Sequence, residues 1–461
     1  MSRRRAIAVA SLTVMVLTAT PVFAQIPDDA TRRPFRGIFG APSDPRAPQS
    51  LVLSGSIFTA YDVNDIQGLA DDQTNTPWLI NSGHYQGANV GLDYAVSKSG
   101  ARMNFGGHLG GRVNFYHRTD RSRVLPATAA DLSFGFRITE TTSFSARQNV
   151  SYTSNYNRSL ARGLGQDLVD DIAVPDNDAF DLFELHAVRL ASSVGLAKTF
   201  GRYTSLNGTY QLRQVEVLGS DVPDARFDDR KSQIGTINFQ YLRPMTRHAA
   251  LSLGYGIRAA DDRHDTGQPD LLHNVNAGVN YGRALSFSRR TSFSFSTGSA
   301  IAVLDRLDTS SDTTSGTPAN DRRTRAYLIG NAALIHEIGR SWTASLTYSR
   351  ALRTWDELQQ LYFTESISSG LGGLVSRRLS LSAAASWANS TLENRGGGSH
   401  RGYAANLRAQ YALARLLALY AQYGYYHYRF SDDLALADRF PRELNRHGVR
   451  VGLMTSVPLI R

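Results

Sequence analysis

From about residue 50 onward, apolar and polar residues alternate along stretches of ten to fifteen positions. Met103, Phe105, Leu109, Val113 and Phe115 fall on one face, and Arg102, Asn104, His108, Arg112, Asn114 and Tyr116 on the other. Leu132, Phe134, Phe136 and Ile138 repeat the pattern against Asp131, Ser133 and Arg137, as do Leu251, Leu253, Tyr255 and Ile257 against Ser252, Gly254, Gly256 and Arg258. A period of two places successive side chains on opposite faces of a strand, one apolar and one polar. Counting the period along the chain predicts about eighteen strands. They fall near 51–62, 83–97, 101–117, 127–139, 142–154, 185–198, 202–217, 231–243, 248–259, 272–283, 290–303, 325–337, 341–352, 364–375, 378–389, 401–412, 415–430 and 445–457. The stretch at 325–337 alternates least clearly.

The connections alternate too. One set is short, such as Ser97-Lys98-Ser99-Gly100, Thr139-Glu140-Thr141-Thr142 and Ile338-Gly339-Arg340. The other is longer and rich in Asp, Gly, Ser and Pro, near 63–82, 155–184, 218–230, 260–271, 304–324, 353–363, 390–400 and 431–444. Short turns at one end and long loops at the other are the habit of transmembrane β-barrels, whereas a β-sandwich or propeller does not segregate loop lengths this way. Phe144 and Tyr152 share one apolar face eight positions apart, about 20 Å of height at ~3.3 Å per residue and ~40° of tilt. That is the spacing of two interfacial aromatic girdles, and Trp342, Tyr348, Trp387, Tyr403, Tyr411 and Tyr425 extend them. The expected fold is therefore all-β: a transmembrane antiparallel up-and-down barrel over residues 51–461.

The N-terminus predicts export. Arg3, Arg4 and Arg5 precede an apolar run from Ala6 to Thr18, and Val22-Phe23-Ala24 is a small-residue cleavage site, so residues 1–24 read as a signal peptide. Residues 25–50 carry Pro27, Pro34, Pro42, Pro45 and Pro48 and read as an irregular periplasmic extension, too small for a folded plug. No later run approaches eighteen consecutive apolar residues, so no transmembrane helix is expected. The chain has no cysteine, which removes thiolate metal sites and thiol catalysis. Hydrophobic residues make up only 42% of the chain, as expected when half of each strand meets water. An even strand count places both termini in the periplasm of a Gram-negative envelope.

Net charge is +10, carried almost wholly by arginine, since Lys98, Lys198 and Lys231 are the only lysines. The arginines stand singly on alternating strands rather than in clustered runs, so nucleic acid is not an expected partner. By parity the inward set includes Arg102, Arg112, Arg137, Arg147, Arg189, Arg213, Arg258, Arg408 and Arg450, against few acids, chiefly Asp93 and Asp131. Guanidinium groups stay charged and hold carboxylate or phosphate through paired hydrogen bonds, so a lumen lined by them favours anions. The alternative is that they pair with loop acids and fill space.

The longest loop, 155–184, is the third on its side and holds Asp167, Asp170, Asp171, Asp176, Asp178 and Asp181. In signal, strand number, loop asymmetry and this acidic third loop beside arginine-bearing strands, the chain resembles the general bacterial porins. That resemblance implies that the loop folds into the pore as a constriction whose acids face wall arginines, with Arg102, Arg112, Arg137 and Arg147 nearest. A loop that extends outward into solvent is the other reading.

Groupings with chemistry are sparse. Asp261-Asp262-Arg263-His264-Asp265 lacks the spacing of a Ca²⁺ loop, and Asp62-Val63-Asn64-Asp65 reads likewise as a solvated loop. His108 and His84 have no serine or acid at diagnostic spacing. No catalytic residue, metal or cofactor is expected, and the chain is not expected to be an enzyme. The function expected is passive, porin-like diffusion of small polar, anionic solutes. The alternatives are a barrel serving surface-polysaccharide export or envelope assembly, and an outer-membrane hydrolase. Expected partners are outer-membrane lipid and lipopolysaccharide, the outer-membrane assembly machinery and small polar solutes. The sequence leaves monomer and homo-oligomer open.

Overall fold

The computed structural model describes residues 37–39, 49–67, 82–99, 102–117, 122–155, 184–200, 204–220, 231–246, 249–262, 270–284, 290–305, 322–355, 360–392, 398–432 and 442–460. The signal-peptide reading of 1–24, most of the 25–50 extension and the interior of the 155–184 loop lie outside them, so Asp167, Asp170, Asp171, Asp176, Asp178 and Asp181 are not placed.

Eighteen strands form one sheet. They are β1 (Gln49–Gln67), β2 (Gly83–Ser99), β3 (Met103–His117), β4 (Ser122–Arg137), β5 (Thr142–Asn155), β6 (Glu184–Phe200), β7 (Thr204–Ser220), β8 (Lys231–Pro244) and β9 (Ala249–Asp262). The second half comprises β10 (Asp270–Ala284), β11 (Thr291–Asp305), β12 (Arg322–Ile338), β13 (Trp342–Trp355), β14 (Gln360–Leu374), β15 (Leu379–Leu392), β16 (Ser399–Ala412), β17 (Leu417–Phe430) and β18 (Glu443–Ile460). Each strand pairs antiparallel with its chain neighbours, and β1 pairs antiparallel with β18 from Leu51↔Ile460 to Gln67↔Glu443. The sheet is therefore closed, which leaves no edge strand to be satisfied by lipid. Among the described residues no helix is long and apolar enough to cross a membrane, which is no obstacle for a chain that crosses with strands.

Closure fixes which face is which. Ile57 on β1 is 59% exposed and Leu407 on β16 is 52% exposed, whereas Phe58 and Asn406, one position away, are buried. Exposed large apolar residues recur around the wall as Leu53, Leu92, Leu109, Leu196, Leu253, Leu346, Leu371 and Val451. A continuous apolar exterior on a closed barrel is a lipid-facing belt, because water would penalise it and hydrocarbon does not. Phe144, Tyr152, Trp342, Tyr348, Trp387, Tyr403, Tyr411 and Tyr425 share the outward register, as the girdle reading expects.

Several strand limits differ from the sequence expectation by three or four residues, and two differ by five. β1 runs on to Gln67, so Asp62-Val63-Asn64-Asp65 is a strand and not a solvated loop. Asp and Asn argued for a turn there, but the outward alternation Ile57, Thr59, Tyr61, Val63 continues, and pairing with β18 holds the segment extended. β4 starts at Ser122 rather than 127, with Pro126 inside it. Ser122–Pro126 pairs with β3 alone, because pairing with β5 starts at Ala127↔Thr153, and a proline is tolerated where a strand has one partner. β12, the least regular stretch in sequence, pairs with β13 only from Gly330↔Arg350 to Ile338↔Trp342. The tight turn between those two strands uses Gly339 at φ 64°, a left-handed conformation that costs glycine nothing. Near the N-terminus, the Ile38 amide donates to the Arg377 carbonyl at 2.9 Å, docking residues 37–39 on the β14–β15 turn.

Candidate functional site: the inner wall

The inward register carries many polar and small residues, and two arcs of it stand out. The first runs over β2 to β7. Asp93 stands on β2, His108 and Arg112 on β3, Asp131 on β4, Arg147 on β5, Arg189 on β6 and Arg213 on β7, all in register with one another's inward faces. The side chains meet laterally. His108 Nε2 lies 3.7 Å from Asp93 Oδ1, with both tips converging above Gly110, where a side chain would crowd them. His108 and Asp131 are direct cross-strand partners, and Arg147 Nε donates to Asp131 Oδ2 at 2.6 Å. The result is a row of polar and charged side chains across four strands. It stays wet: the side chains of His108 and Asp93 are 49% and 51% exposed, and that of Arg147 is 47% exposed. Exposed pairs of this kind contribute little stability and keep their charges available to a solute.

The second arc is β16, β17, β18, β1 and the start of β2. Its inward face is packed. Arg446 of β18 donates to Asp62 of β1, and both side chains are buried. Arg450 lies 4.1 Å over the Phe58 ring and its Nη2 donates to the Tyr85 hydroxyl at 3.5 Å. Arg408 stacks 4.9 Å from the Tyr420 ring and directs Nη2 to Met454 Sδ at 2.9 Å. Such cation–π contacts gain strength when water is excluded. Phe58, Ala60, Tyr85 and Tyr420 form one buried cluster with Met454 against it. Gly87 and Gly452 make this packing possible, since a methyl group at Gly87 would enter the Phe58 ring and one at Gly452 would meet the Ile57 carbonyl. Towards the long-loop end, Tyr426, Tyr428 and Phe430 pack edge to face in succession and His400 lies tilted against Phe430, with Tyr428–Phe430 ring centroids 5.3 Å apart and His400–Phe430 4.7 Å apart.

The arginines expected inside are thus distributed unequally. Arg112, Arg147, Arg189 and Arg213 sit together on the wet arc. Arg102 and Arg137 mark its short-turn end, where the Arg137 amide donates to the Arg102 carbonyl at 2.8 Å and both residues are exposed. Arg258 holds an inward register position opposite Thr236. Arg408 belongs to the packed arc, with Arg450. Sequence reasoning passed over Arg446 and Asp62, although Arg446 shares the parity of Arg450, and Asp62 that of Phe58 and Ala60. The acid beside His108 comes from the neighbouring strand, so no spacing along the chain could have shown it. His84 faces outward and bonds Thr59 at 2.6 Å. Among the described residues there is no group of three or more His, Cys, Asp or Glu able to hold a metal ion.

No family model and no curated protein matches the chain. Solved structures with a similar fold include the apoprotein form of the FrpB iron transporter from Neisseria meningitidis, with 9% identity and a TM-score of 0.44, covering 89% of this chain and 81% of that one. Pseudomonas aeruginosa OpdL has 12% identity and a TM-score of 0.40, covering 90% of this chain and 100% of that chain. Acinetobacter baumannii OccAB4 has 11% identity and a TM-score of 0.41, again covering 90% and 100%. The strand pairing itself makes the chain a closed eighteen-stranded antiparallel barrel.

Proposed function

We propose that this barrel is a passive channel for small polar solutes and that it favours anions. The observation that carries the reading is the wet arc. Arg112, Arg147, Arg189 and Arg213 stand on β3, β5, β6 and β7 of the inner wall, with Asp93 and Asp131 on β2 and β4. Barrels of this strand number enclose an aqueous lumen that side chains from the wall do not fill. A lumen with an excess of guanidinium groups raises the local concentration of anions and lowers that of cations. Their planar donor forks suit carboxylate and phosphate groups in transit. In this reading the short-turn end, from which β1 starts and at which β18 finishes, faces the periplasm, and the long loops face outward.

Purified protein in planar bilayers tests it. With a salt gradient across the membrane, the wild type shows a reversal potential on the anion side. Changing Arg112, Arg147, Arg189 and Arg213 together to Gln moves that potential toward cations. A folded barrel without conductance, or a reversal potential that the four substitutions leave in place, sinks the proposal.

A further inference from the structure

The outward face of β5 runs Phe144, Ala146, Gln148, Val150, Tyr152. Phe144 and Tyr152 are its two girdle aromatics. Gln148 lies four positions from each, about 10 Å in height from both, at the middle of the hydrocarbon belt. The residues around it on the same face are apolar: Leu132 directly opposite on β4, Ala146 and Val150 along its own strand, Leu190 and Val194 diagonally on β6. Its one polar neighbour is Ser192, the cross-strand partner on β6, whose hydroxyl donates to Gln148 Oε1 at 2.7 Å. That bond occupies one of the two acceptor positions of the amide oxygen and neither N–H donor. No other hydrogen bond to the Gln148 side chain occurs among the described residues.

A carboxamide held against acyl chains with both donors unmet is disfavoured, because hydrocarbon supplies no acceptor. Serine faces lipid more easily. Ser369 on the outward face of β14 turns its hydroxyl to the Ala385 carbonyl of the neighbouring strand at 3.4 Å and needs nothing further. Glutamine is too long and too rich in donors for that solution. Polar side chains at membrane depth mark protein contacts, where they act as hydrogen-bonding links between spanning elements.

We propose that the outer face of β5–β6 is a contact between two copies of this chain, with Gln148 of one against Gln148 of the other. The occupant follows from hydrogen-bond complementarity. After Ser192 has taken one acceptor position, the amide keeps one acceptor and two donors. A reciprocal amide pair across a two-fold axis uses one of each from both sides, as a self-complementary interface requires. The inference rests on the lipid-facing register of β5 and is independent of whether the lumen conducts.

The absence of cysteine makes the test direct. Val150→Cys places one thiol on the proposed face, two positions from Gln148, and Leu407→Cys places one on the opposite side of the barrel. Both variants are treated in proteoliposomes, at a low protein-to-lipid ratio, with a flexible bis-maleimide, because two backbones joined through paired glutamines stand too far apart for a disulfide, and are run on denaturing gels. Val150→Cys is expected to give a cross-linked pair and Leu407→Cys to remain single. Adding Gln148→Leu to Val150→Cys lowers the linked fraction about tenfold, the size of one lost polar contact in a membrane. Heat-dependent gel mobility shows that each variant is folded, and conductance, measured separately, reports on the channel reading alone. Equal linking by the two thiols, no linking by Val150→Cys, or linking that Gln148→Leu does not reduce would each overturn the proposal.

Discussion

On β5, Arg147 holds Asp131 in water; on β18, Arg446 holds Asp62 out of it. The two pairs have the same chemistry and the same inward register, yet side-chain exposure is 47% and 20% for the first and 3% and 6% for the second. What separates them is the company they keep. Arg147 and Asp131 are flanked by Ser133, Asn149 and Ser193, small residues that leave the wall open. On the packed arc Phe58, Tyr85 and Tyr420 enclose the neighbouring arginines, and glycines beneath the rings let them lie flat. One arc of the inner wall is therefore open and wet, and the other is a structural core displaced to the inside of a barrel. A barrel wide enough to hold water does not need a core, so the packed arc marks where the wall is held stiff, and the wet arc marks where charged side chains stay exposed on the inner face.

That contrast can be broken by three experiments, the strongest first. Asp62→Ala strips Arg446 of its buried counter-charge and is expected to destabilise the barrel by about 3–5 kcal/mol, whereas removing both charges with Asp62→Leu and Arg446→Met recovers most of that loss. The midpoint of urea unfolding in detergent reads it, and a single-variant loss under ~1 kcal/mol would mean that the pair is not dry. Next, Gly87→Ala drives a methyl group into the Phe58 ring and should cost about 1–3 kcal/mol by overpacking. Its counterpart on the wet arc, Gly110→Ala, meets only the tips of Asp93 and His108, 3.0 and 3.2 Å away, which can swing aside. Equal losses at Gly87 and Gly110 would erase the distinction between the arcs. Last, Arg147→Ala should change stability by no more than ~1 kcal/mol, as for exposed pairs generally, while still moving the reversal potential toward cations. A stability loss as large as that of Asp62→Ala would place Arg147 among the structural residues.

The period-two pattern made the strand number, the lipid face and the girdles legible, because one buried and one wet face impose it on every strand. Parity also told which arginines point inward. It did not tell which of them are enclosed. Arg408 and Arg213 look alike in sequence, and what encloses Arg408 is the Tyr420 ring of the next strand and Met454 of β18, contacts that parity does not show. Asp62 shows a second limit. Next to Asn64 and Asp65 it carries the composition of a turn, and only the partner strand β18 shows it to be a paired strand residue with a counter-ion. Gln148 shows a third: it is conspicuous only once the register of Phe144 and Tyr152 has set the height of the membrane around it.

The pairing of β1 with β18 also carries a kinetic consequence. Asp62 and Arg446 are separated by 384 residues, so the contact that closes the wall is among the most non-local the chain can make. Joining points that far apart costs about 5 kcal/mol of chain entropy before any reward is collected. Hairpins formed by neighbouring strands carry no such penalty and assemble early, while a topology dominated by distant pairings folds slowly. Strand β18 brings Arg446 and Arg450 to the Asp62 and Phe58 of β1. Until it arrives, Asp62 has no counter-ion and Phe58 no guanidinium above it. Completion of the circle is thus an all-or-none event, and the densest part of the inner wall serves as the clasp.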